Sequence, residues 1–404
     1  MARSVAEHRD AVTELLRTAL ASLAGDAETV ELLQAIGRPL ARDIIAPVSL
    51  PPFANSQMDG YAVSSESTHA CTEFPVGKTV AAGHPAPPLP PGTALPVMTG
   101  AMLPPGADAV VPIERALPDG FRPFRAGQTV TLPARVPAGQ FVRPAGSDIA
   151  AGTLALRRGT RLGAPQLGLL AALGLDRVPV LPRPRVLLLS TGDEVVPPGT
   201  VPAPGQIFDA NNTLLAASLA QAGADVAGSR ILADSPEAFG ARLREDLRQH
   251  RPQLLVTSGG ISKGAFEVVK QALAAEDVRF ESVAMQPGGP QAIGTVDSVA
   301  FLGFPGNPVS SLISFEMFLR PALSEVLRAP ALRTVLRVPL AEAVESPKGK
   351  HQVRRGYYDG AAVSLVGGAG SHLLHALAQA NALVQLPADT GSVAAGENVE
   401  IWLL

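Results

Sequence analysis

The chain has 404 residues, enough for two to four domains, and its 39 glycines and 38 prolines make up about 19% of it, too little for a disordered or collagen-like chain. The 33 basic and 36 acidic residues give a net charge of −3, which excludes the basic field of a nucleic-acid-binding protein. Cys71 is the only cysteine, so disulfide frameworks and cysteine-ligated zinc sites are excluded as well.

The N-terminal region predicts neither a secretory signal nor a membrane anchor. Residues 1–16 carry charges throughout and lack the apolar core of a signal peptide. No run of about 18 uncharged apolar residues occurs, so no spanning helix is predicted. We therefore expect a soluble, cytoplasmic protein with neither a membrane nor a nucleic acid as its partner.

The first 160 residues combine helices with a β-rich segment. An amphipathic helix is predicted over residues 4–23, because Ser4 and Glu7 have the spacing of a capping box. A second short helix is predicted over residues 28–36. From about residue 50 to 160, apolar runs separated by proline and glycine predict a small, largely antiparallel β domain, with strands at Thr79–Ala82, Ala94–Met98, Ala109–Ile113 and Thr129–Leu132.

A helix over residues 164–174 leads into residues 183–328, where strand and helix patterns alternate. The strands are unbroken apolar runs, which are typical of a parallel sheet that helices cover on both faces. The predicted strands are 185–189, 225–232, 254–257, 278–284 and 299–303, and the predicted helices are 212–222, 236–250, 265–275 and 308–327. After residue 330, short strands return at 332–341, 351–358, 382–386 and 398–403, with one small helix near 372–379.

The predicted fold is therefore multidomain α/β plus β. A central three-layer α/β domain with a mostly parallel sheet is flanked by β-rich N-terminal and C-terminal domains. We place the central domain at residues 181–329 and the C-terminal β domain at residues 330–404. Residues 51–144 form an inserted β domain, and the helical segments 1–50 and 145–180 form the domain that carries it.

Three loops of the α/β domain follow the carboxyl ends of its strands, where open α/β sheets bind ligands. They are Ser190–Glu194, Ser258–Gly260 and Gly303–Pro308. Glycine lets the main chain approach a phosphate closely, and helix N-termini present free N–H groups to anions. None of the loops matches GxGxxG or a P-loop. The prediction is a phosphorylated or nucleotide-like ligand, with an ordinary tight turn as the alternative at each loop.

Carboxylates share this edge: Asp193, Glu194, Asp209, Asp234 and Glu267. An anionic ligand beside several acids needs a divalent cation between them, and Mg²⁺ prefers such oxygen ligands. The alternative for Asp209 and Asp234 is a structural role at a turn or a helix N-terminus.

Residues 51–62, PPFANSQMDGYA, predict a second site. Asn55, Asp59 and Tyr61 lie close together after a pair of prolines, so the segment is interpreted as a rigid loop that presents polar groups. The histidines show no metal-binding spacing, and a surface or capping role is predicted for the pair His372 and His375. No nucleophile signature is present, because GxSxG is absent and Cys71 has no histidine nearby.

These motifs together resemble the molybdopterin molybdenumtransferase family of molybdenum cofactor biosynthesis, which includes the bacterial enzyme and the related gephyrin E domain. PPFANSQMDGYA is similar to the family's PPFDNSAMDGYA, and MTGA, GADAVV and the stretch from Arg143 to Ile149 follow in the family's order. STGDE, GQIFDAN, SGGIS, FPGNPVSS and LAQANALVQLP come next. The resemblance thus covers nearly the whole chain.

The resemblance implies a transferase that moves molybdate onto the dithiolene sulfurs of adenylylated molybdopterin and cleaves the adenylate, releasing AMP and molybdenum cofactor with the help of Mg²⁺. It implies an elongated homodimer with shared active sites, each between the α/β domain of one subunit and the N-terminal region of the other. Residues 181–329 would then be the molybdopterin-binding domain, and the segments 1–50 and 145–180 would serve dimerisation.

By motif position, the resemblance assigns catalytic roles to Asp59, Thr99, Glu194 and Asp234, with Glu194 and Asp234 also binding the metal. Arg143 suits bidentate recognition of a phosphate. The full set of implied substrate-binding residues is Arg143, Asp148, Asp209, Asn211, Ser258, Gly259, Gly260, Glu267, Lys270, Pro305, Gly306, Asn307, Pro308, Ser310, Lys350 and Arg355.

The sequence departs from the family pattern at an oxyanion pocket. Gln286 and Gly289 replace the two lysines of the family's KPGKP, and GAFEVVK replaces GDYDFVK at residues 264–270. Lys348, Lys350, Arg354 and Arg355, in a stretch that resembles the family's GRxxFxRG, are candidates to compensate, with Lys350 at its first arginine position and Arg355 at its second. Two alternatives therefore stay open. One is a diverged paralogue that binds or carries molybdopterin or the cofactor with little turnover, and the other is a molybdopterin adenylyltransferase.

Overall fold

The computed structural model of the chain describes residues 2–24, 27–121, 123–261, 268–327 and 332–404. They form two compact units. The first unit comprises Met1–Thr29, Gly37–Ala41 and Pro179–Leu404, and the second comprises Val30–Ile36 and Arg42–Val178. Among the described residues, no helix is long and apolar enough to cross a membrane.

The first unit begins with helix α1, Val5–Ala19. Ser4 caps it as predicted: the Ser4 hydroxyl accepts the N–H of Glu7 at 3.2 Å, and the Glu7 carboxylate accepts the N–H of Ser4 at 2.8 Å. One face of the helix is buried, and it includes Val12 and Leu16. A 3₁₀ turn follows at Ala21–Ala24.

The helix predicted over residues 28–36 is wrong. Glu28–Glu31 is a short strand and Leu32–Ala35 is a 3₁₀ turn. The physical reason is burial: Leu33 and Ile36, which an amphipathic helix would turn towards a core, are exposed. Without a common apolar face, nothing stabilises a helix of this length.

One sheet of six strands organises the first unit. In chain order its strands are β1 (Arg185–Thr191), β2 (Asp225–Leu232), β3 (Leu254–Ser258), β4 (Asp277–Ser282), β5 (Pro290–Val296) and β6 (Val299–Phe304). Their order across the sheet is β2-β1-β3-β6-β5-β4. Strands β2, β1, β3 and β6 run parallel, while β5 pairs antiparallel with both β6 and β4. The predicted mostly parallel sheet is confirmed, with β5 as an additional strand.

Helices cover both faces of this sheet. They are α2 (Asn211–Gln221), α3 (Pro236–His250), α4 (Val268–Ala272), α5 (Pro308–Ser314) and α6 (Arg320–Val326). On one face Leu188 and Leu302 share a core cluster with residues of α1, α2, α5 and α6. On the other face Leu189 and Phe301 share a second cluster with residues of α3 and α4. The three-layer arrangement follows from these two cores.

The predicted helix over residues 308–327 is interrupted. Phe315–Leu319 forms a π-helical turn between α5 and α6. Glu316 lies in this turn and is buried, and its carboxylate accepts hydrogen bonds from Arg320 Nε at 2.8 Å and Arg333 Nη2 at 2.9 Å. The buried carboxylate is thus matched by two guanidinium groups, which is the condition for keeping a charge inside a core.

A second sheet in the first unit contains the C-terminal strands. Its strand order is Met285–Gln286, His351–Tyr358, Ala382–Leu386, Asn398–Leu403 and Val335–Pro339, with Val363–Leu365 beside His351–Tyr358. Helix α7 is Leu374–Gln379, and Val344–Glu345 pairs with Ser392–Val393. The pairing of Met285 with His351 joins this sheet to the segment that leads into β5. Another short pair, Val195–Val196 with Ile207–Phe208, follows β1.

The second unit is β-rich. Its strands are Ile44–Ile45, Asn55–Ser56, Gly60–Val63, Glu73–Pro75, Leu95–Val97, Ala109–Pro112, Thr129–Thr131, Val142–Arg143 and Leu154–Leu156, and its helices are Ser67–Ala70 and Ala164–Ala172. The pairs that these strands form are antiparallel, as predicted. The strand predicted at Thr79–Ala82 is wrong, because only Val80 forms a single bridge, to Val97.

Candidate active site

A cleft of about 1180 Å³ lies in the first unit where strands β1, β3 and β6 end. All three predicted loops line it, through Ser190–Gly192 with Glu194, Ser258–Gly260 and Pro305–Pro308. Its volume exceeds the roughly 300–1,000 Å³ of ordinary small-molecule sites, so an extended ligand fits. The remaining lining comes from Gln286–Pro290, Gly349–Lys350, Ala369–His372 and a few single residues.

Backbone forms the floor of the cleft at Gly259 and Gly260. Their φ angles are +94° and +66°, in the left-handed region that favours glycine. A Cβ at Gly259 would lie 2.9 Å from Thr191 Oγ1, and the Gly259 N–H donates to the Phe304 carbonyl at 3.0 Å. The three loops therefore pack too tightly for a side chain at this point, which leaves main chain at the surface that a ligand meets.

One end of the cleft is acidic. Glu194 follows β1 and Asp234 follows β2, and both line the cleft. The Asp193 carboxylate accepts the N–H of Asp234 at 3.0 Å, so the two loops are in contact. Burial, reinforced by the negative charges of Asp193 and Glu194, raises the pKa of Asp234. The carboxylates of Asp193, Glu194 and Asp234 thus concentrate negative charge at this end of the cleft.

Asp209 and Asn211, predicted as substrate-binding residues, both line the cleft and both hold loops in place. The buried Asp209 carboxylate accepts hydrogen bonds from Ser190 Oγ at 3.2 Å and from the Asn212 N–H and Nδ2 at 3.1 and 2.7 Å. Asn211 Nδ2 donates to the Gly306 carbonyl at 2.6 Å. The loops after β1 and β6 are fixed by these bonds, which supports the structural alternative for Asp209.

The opposite end of the cleft carries positive charge. Lys350 lines it, together with Gln286, Gly289 and the buried Ser310. Among the described lining residues, Lys350 is the one lysine or arginine. It directly precedes His351, which pairs with Met285 beside the start of β5.

Sheet topology separates the two ends of the cleft. Strand β1, before Glu194, and strand β5, beside Lys350, lie three positions apart in the sheet. At a strand spacing of about 4.8 Å, strands β1 and β5 are therefore about 14 Å apart. The cleft is polarised along its length.

Arg355 does not line this cleft. Its buried guanidinium donates to the carbonyls of Val366 and Gly370 at 3.4 and 3.0 Å and also to that of Gly368. These bonds hold the turn that leads to Ser371, whose hydroxyl accepts Asn307 Nδ2 at 2.9 Å. Arg355 therefore shapes the wall of the cleft from behind it.

Other predicted residues lie elsewhere or outside the described part of the chain. Lys270 is exposed on α4 and does not line the cleft. Glu267 lies outside the described residues. His372, for which a surface or capping role is predicted, is exposed, precedes α7 and also lines the cleft. No local sequence signal distinguishes it, because the turn held by Arg355 places it there.

In the second unit the predicted residues gather around one loop. The Asp59 carboxylate accepts the N–H and the hydroxyl of Thr99 at 2.7 and 2.8 Å, and these bonds lower the pKa of Asp59. Arg143 pairs with Asn55 in the adjoining strands. Exposed Asp59, Arg143 and Asp148 are available to a ligand. Tyr61 is buried and packs edge-on against Phe121, so its side chain is not exposed to a ligand.

Comparison with known proteins agrees with the motifs. Family models match residues 3–174 as "MoeA N-terminal region (domain I and II)", residues 187–325 as "Probable molybdopterin binding domain" and residues 337–404 as "MoeA C-terminal region (domain IV)". A Mycobacterium tuberculosis protein named molybdopterin molybdenumtransferase 2 is 42% identical over 416 residues, with 99% of both chains covered. The chain belongs to the molybdopterin molybdenumtransferase family.

Two further relatives agree with this assignment. A Haemophilus influenzae protein named molybdopterin molybdenumtransferase is 33% identical, with 93% of both chains covered. The crystal structure of a molybdopterin biosynthesis MoeA protein from Pyrococcus horikosii is similar at a TM-score of 0.78 and 30% identity, covering 96% of this chain and 98% of that one. The predicted family, fold class and transferase activity are thereby confirmed.

Within this transferase, the described residues contain no group of three or more histidine, cysteine, aspartate or glutamate side chains placed to hold a metal ion. Glu194 and Asp234 form a pair at most. Mg²⁺ holds several waters and takes only one or two protein carboxylates when a substrate phosphate completes its shell. The pair therefore suits Mg²⁺ bound together with a phosphorylated substrate better than a metal bound by protein alone.

Proposed function

We propose that this transferase inserts molybdenum: it transfers molybdate to the dithiolene sulfurs of adenylylated molybdopterin and cleaves the adenylate, releasing AMP and molybdenum cofactor. The observation that carries this proposal is the polarised cleft, with Glu194 and Asp234 beyond strands β1 and β2 and Lys350 towards strand β5, three strand positions from β1. The names of the relatives from M. tuberculosis and H. influenzae support the same substrates.

The two reacting parts of this substrate match the two ends of the cleft. A tetrahedral dianion such as molybdate is attracted to an ammonium group and to hydroxyl and amide donors, which Lys350, Ser310 and Gln286 supply. The adenylate carries its phosphates away from the dithiolene. An extended ligand with molybdate at Lys350 therefore brings its phosphates towards the backbone floor at Gly259 and the acids beyond it.

Mg²⁺ fits the acidic end. Glu194 and Asp234 offer the carboxylate oxygens that it prefers. When bound, Mg²⁺ would neutralise charge on the phosphoanhydride as AMP leaves. Glu194 and Asp234 would hold it, while the glycine floor, which carries no side chain at Gly259, would let the main chain approach the phosphates.

Asp59, Thr99, Arg143 and Asp148 would complete the site from a second copy of the chain in a homodimer. Asp59 is held as a carboxylate by Thr99, which suits metal binding or proton transfer at the anhydride. An exposed apolar strand pair in the same unit supports the homodimer: Ile45 and Leu154 lie opposite each other and are 52% and 37% exposed. A second copy of the chain would cover this face.

A carrier of molybdopterin or of the cofactor is the second candidate. The observation that favours it is the pair Gln286 and Gly289, because both line the cleft beside Lys350 and neither brings a positive charge. Such a pocket binds the organic part of the ligand while attracting molybdate less strongly. The third possibility, an adenylyltransferase, does not require an oxyanion site beside Lys350.

One assay separates the three functions. The protein is given adenylylated molybdopterin, Mg²⁺ and molybdate, and AMP and active cofactor are measured. We expect molybdate-dependent AMP release. Ligand binding without AMP release would favour the carrier, and synthesis of the adenylylated product from ATP would favour the adenylyltransferase.

Two variants test the assignment of residues. Lys350→Met should raise the molybdate KM by at least tenfold, whereas Lys348→Met, an exposed lysine two residues away and outside the cleft, should leave it unchanged. Asp59→Ala should abolish turnover while sedimentation shows an intact dimer. Normal turnover by Asp59→Ala would refute its catalytic role.

A further inference from the structure

The proposed reaction leaves one aromatic ring in the cleft unused. Phe208 lines the cleft and is 49% exposed, in a chain whose aromatic content is only 4%. Five of the ten described aromatic side chains of the first unit are fully buried, among them Phe239, Phe301 and Phe304. The rest of the lining is dominated by glycine, proline, serine and carboxylates. A single exposed ring in such a surface indicates a binding contact.

Phe208 is held rigidly although its ring is not packed in a core. On its N-terminal side the Ile207 N–H donates to the Glu194 carbonyl at 2.8 Å. On its C-terminal side the Asp209 N–H donates to the Val196 carbonyl at 2.9 Å, and the Asp209 carboxylate is itself buried and hydrogen-bonded. These bonds fix the main chain from which the ring projects at the cleft wall, so stacking on the ring requires no ordering of the backbone.

The position of the ring identifies the part of the substrate that reaches it. The bond from Ile207 to Glu194 places Phe208 at the acidic end of the cleft. In the proposed function, molybdate and the dithiolene must meet at the opposite end, beside Lys350. The adenylate then extends towards Glu194 and Asp234, and its base lies beyond the phosphates.

We propose that Phe208 is the platform on which the adenine ring of the adenylylated substrate stacks, with Ile207 beside it as an apolar flank. This inference rests on the proposed function, because the direction of the ligand along the cleft follows from the molybdate site. Stacking on an aromatic ring accepts any base with a π-face. Phe208 therefore selects for the presence of a base rather than for adenine over guanine.

Calorimetry with AMP as the probe, in the presence of Mg²⁺, tests this on the full chain. Phe208→Ala should bind AMP about tenfold more weakly, and Phe208→Trp should keep the wild-type affinity. Ribose 5-phosphate, which has the phosphate but no base, should bind wild type and Phe208→Ala equally. Val201→Ala is the matched control, since Val201 is exposed on the same loop and does not line the cleft.

Several results would overturn the proposal. The first is an AMP affinity that is unchanged in Phe208→Ala. The second is an equal loss of affinity for AMP and for ribose 5-phosphate in this variant. The third is that the wild-type protein does not bind AMP. A loss of affinity for pterin-6-carboxylate alone would mean that the ring binds the pterin, which also contradicts it. These comparisons measure binding, so they stand apart from the insertion assay. Absence of molybdate-dependent AMP release would refute the proposed function. The result for Phe208 could still be interpreted, because it measures AMP binding.

Discussion

Acidification should destabilise the first unit through His8. This side chain lies on α1, is 1% exposed, and packs edge-on against Phe318 with ring centroids 4.6 Å apart. Burial lowers the pKa of His8 from 6.5 to about 4. The nearby charge of Arg3 acts in the same direction, and Glu281, whose carboxylate lies 3.7 Å from Nδ1, opposes it. The folded chain therefore keeps His8 neutral.

The size of the effect follows from the pKa difference. The unfolded chain binds the His8 proton more tightly, so this contribution to stability is complete above pH 6.5 and is lost as the pH falls towards 4. The difference of 6.5 − 4 pKa units corresponds to about 3 kcal/mol, at about 1.36 kcal/mol per unit. By pH 5, about 2 kcal/mol of it should be gone.

Trp402 offers a local probe for this loss. It is the only tryptophan of the chain, it packs against the core cluster that contains α1, and the Arg9 guanidinium lies 5.9 Å from its ring centroid. Urea unfolding followed by Trp402 emission at pH 7.5 and pH 5 is compared for wild type, His8→Leu and His375→Leu, a control at an exposed histidine. Between pH 7.5 and pH 5, the free energy of unfolding of wild type and of the control should each fall by about 2 kcal/mol more than that of His8→Leu. Equal losses in all three proteins would refute the reasoning.

Three further predictions concern other parts of the molecule. Thr99→Val removes one of the hydrogen bonds that lower the pKa of Asp59, so the acidic limb of the pH profile of AMP release should move to higher pH; an unmoved limb would exclude Asp59 as the titrating group. Gly259→Ala places a side chain at a φ of +94° against the neighbouring loop and should reduce AMP affinity more than tenfold, as calorimetry would show. Glu316→Gln leaves two arginines facing a neutral group and should lower the free energy of unfolding by about 3–5 kcal/mol, and a loss below 1 kcal/mol would show that the pair is solvated.

Much of the α/β domain could be predicted because its strands are buried on both faces. Leu187–Leu189 and Leu254–Val256 are continuous apolar runs that fit no amphipathic helix. Strand β5 escaped prediction because Pro290 and Gly294 give it the composition of a turn. Gly294 is needed there for packing: a Cβ at this residue would lie 1.9 Å from the Asp277 carbonyl oxygen of the adjacent strand. Close approach of two strands is a tertiary requirement, which local patterns do not reveal.

The cleft loops were predictable for a topological reason, whereas single residues were not. Parallel strands end at one edge of a sheet, so three loops that follow such strands must converge. Phe208 and His372 lie in segments that pack against that edge, and no periodic pattern in the sequence predicts this packing. Arg355 shows the converse case. From sequence it appears as a ligand-binding cation, but its guanidinium is occupied by backbone carbonyls of the turn that leads to Ser371.

Contacts of this kind also bear on the two lysines of the family's KPGKP, which Gln286 and Gly289 replace in this chain. In the described lining Lys350 is the one lysine or arginine, so in the proposed reaction molybdate meets a single ammonium group surrounded by neutral donors. Neutral donors attract an anion well only when they are already oriented, because their dipoles then need no reorganisation as the anion binds. A hydrogen bond from Asn211 fixes the loop that leads to Ser310, and Asp209 and Arg355 fix two other loops of the cleft. Residues that resemble ligands in the sequence can thus support oxyanion capture without touching the oxyanion.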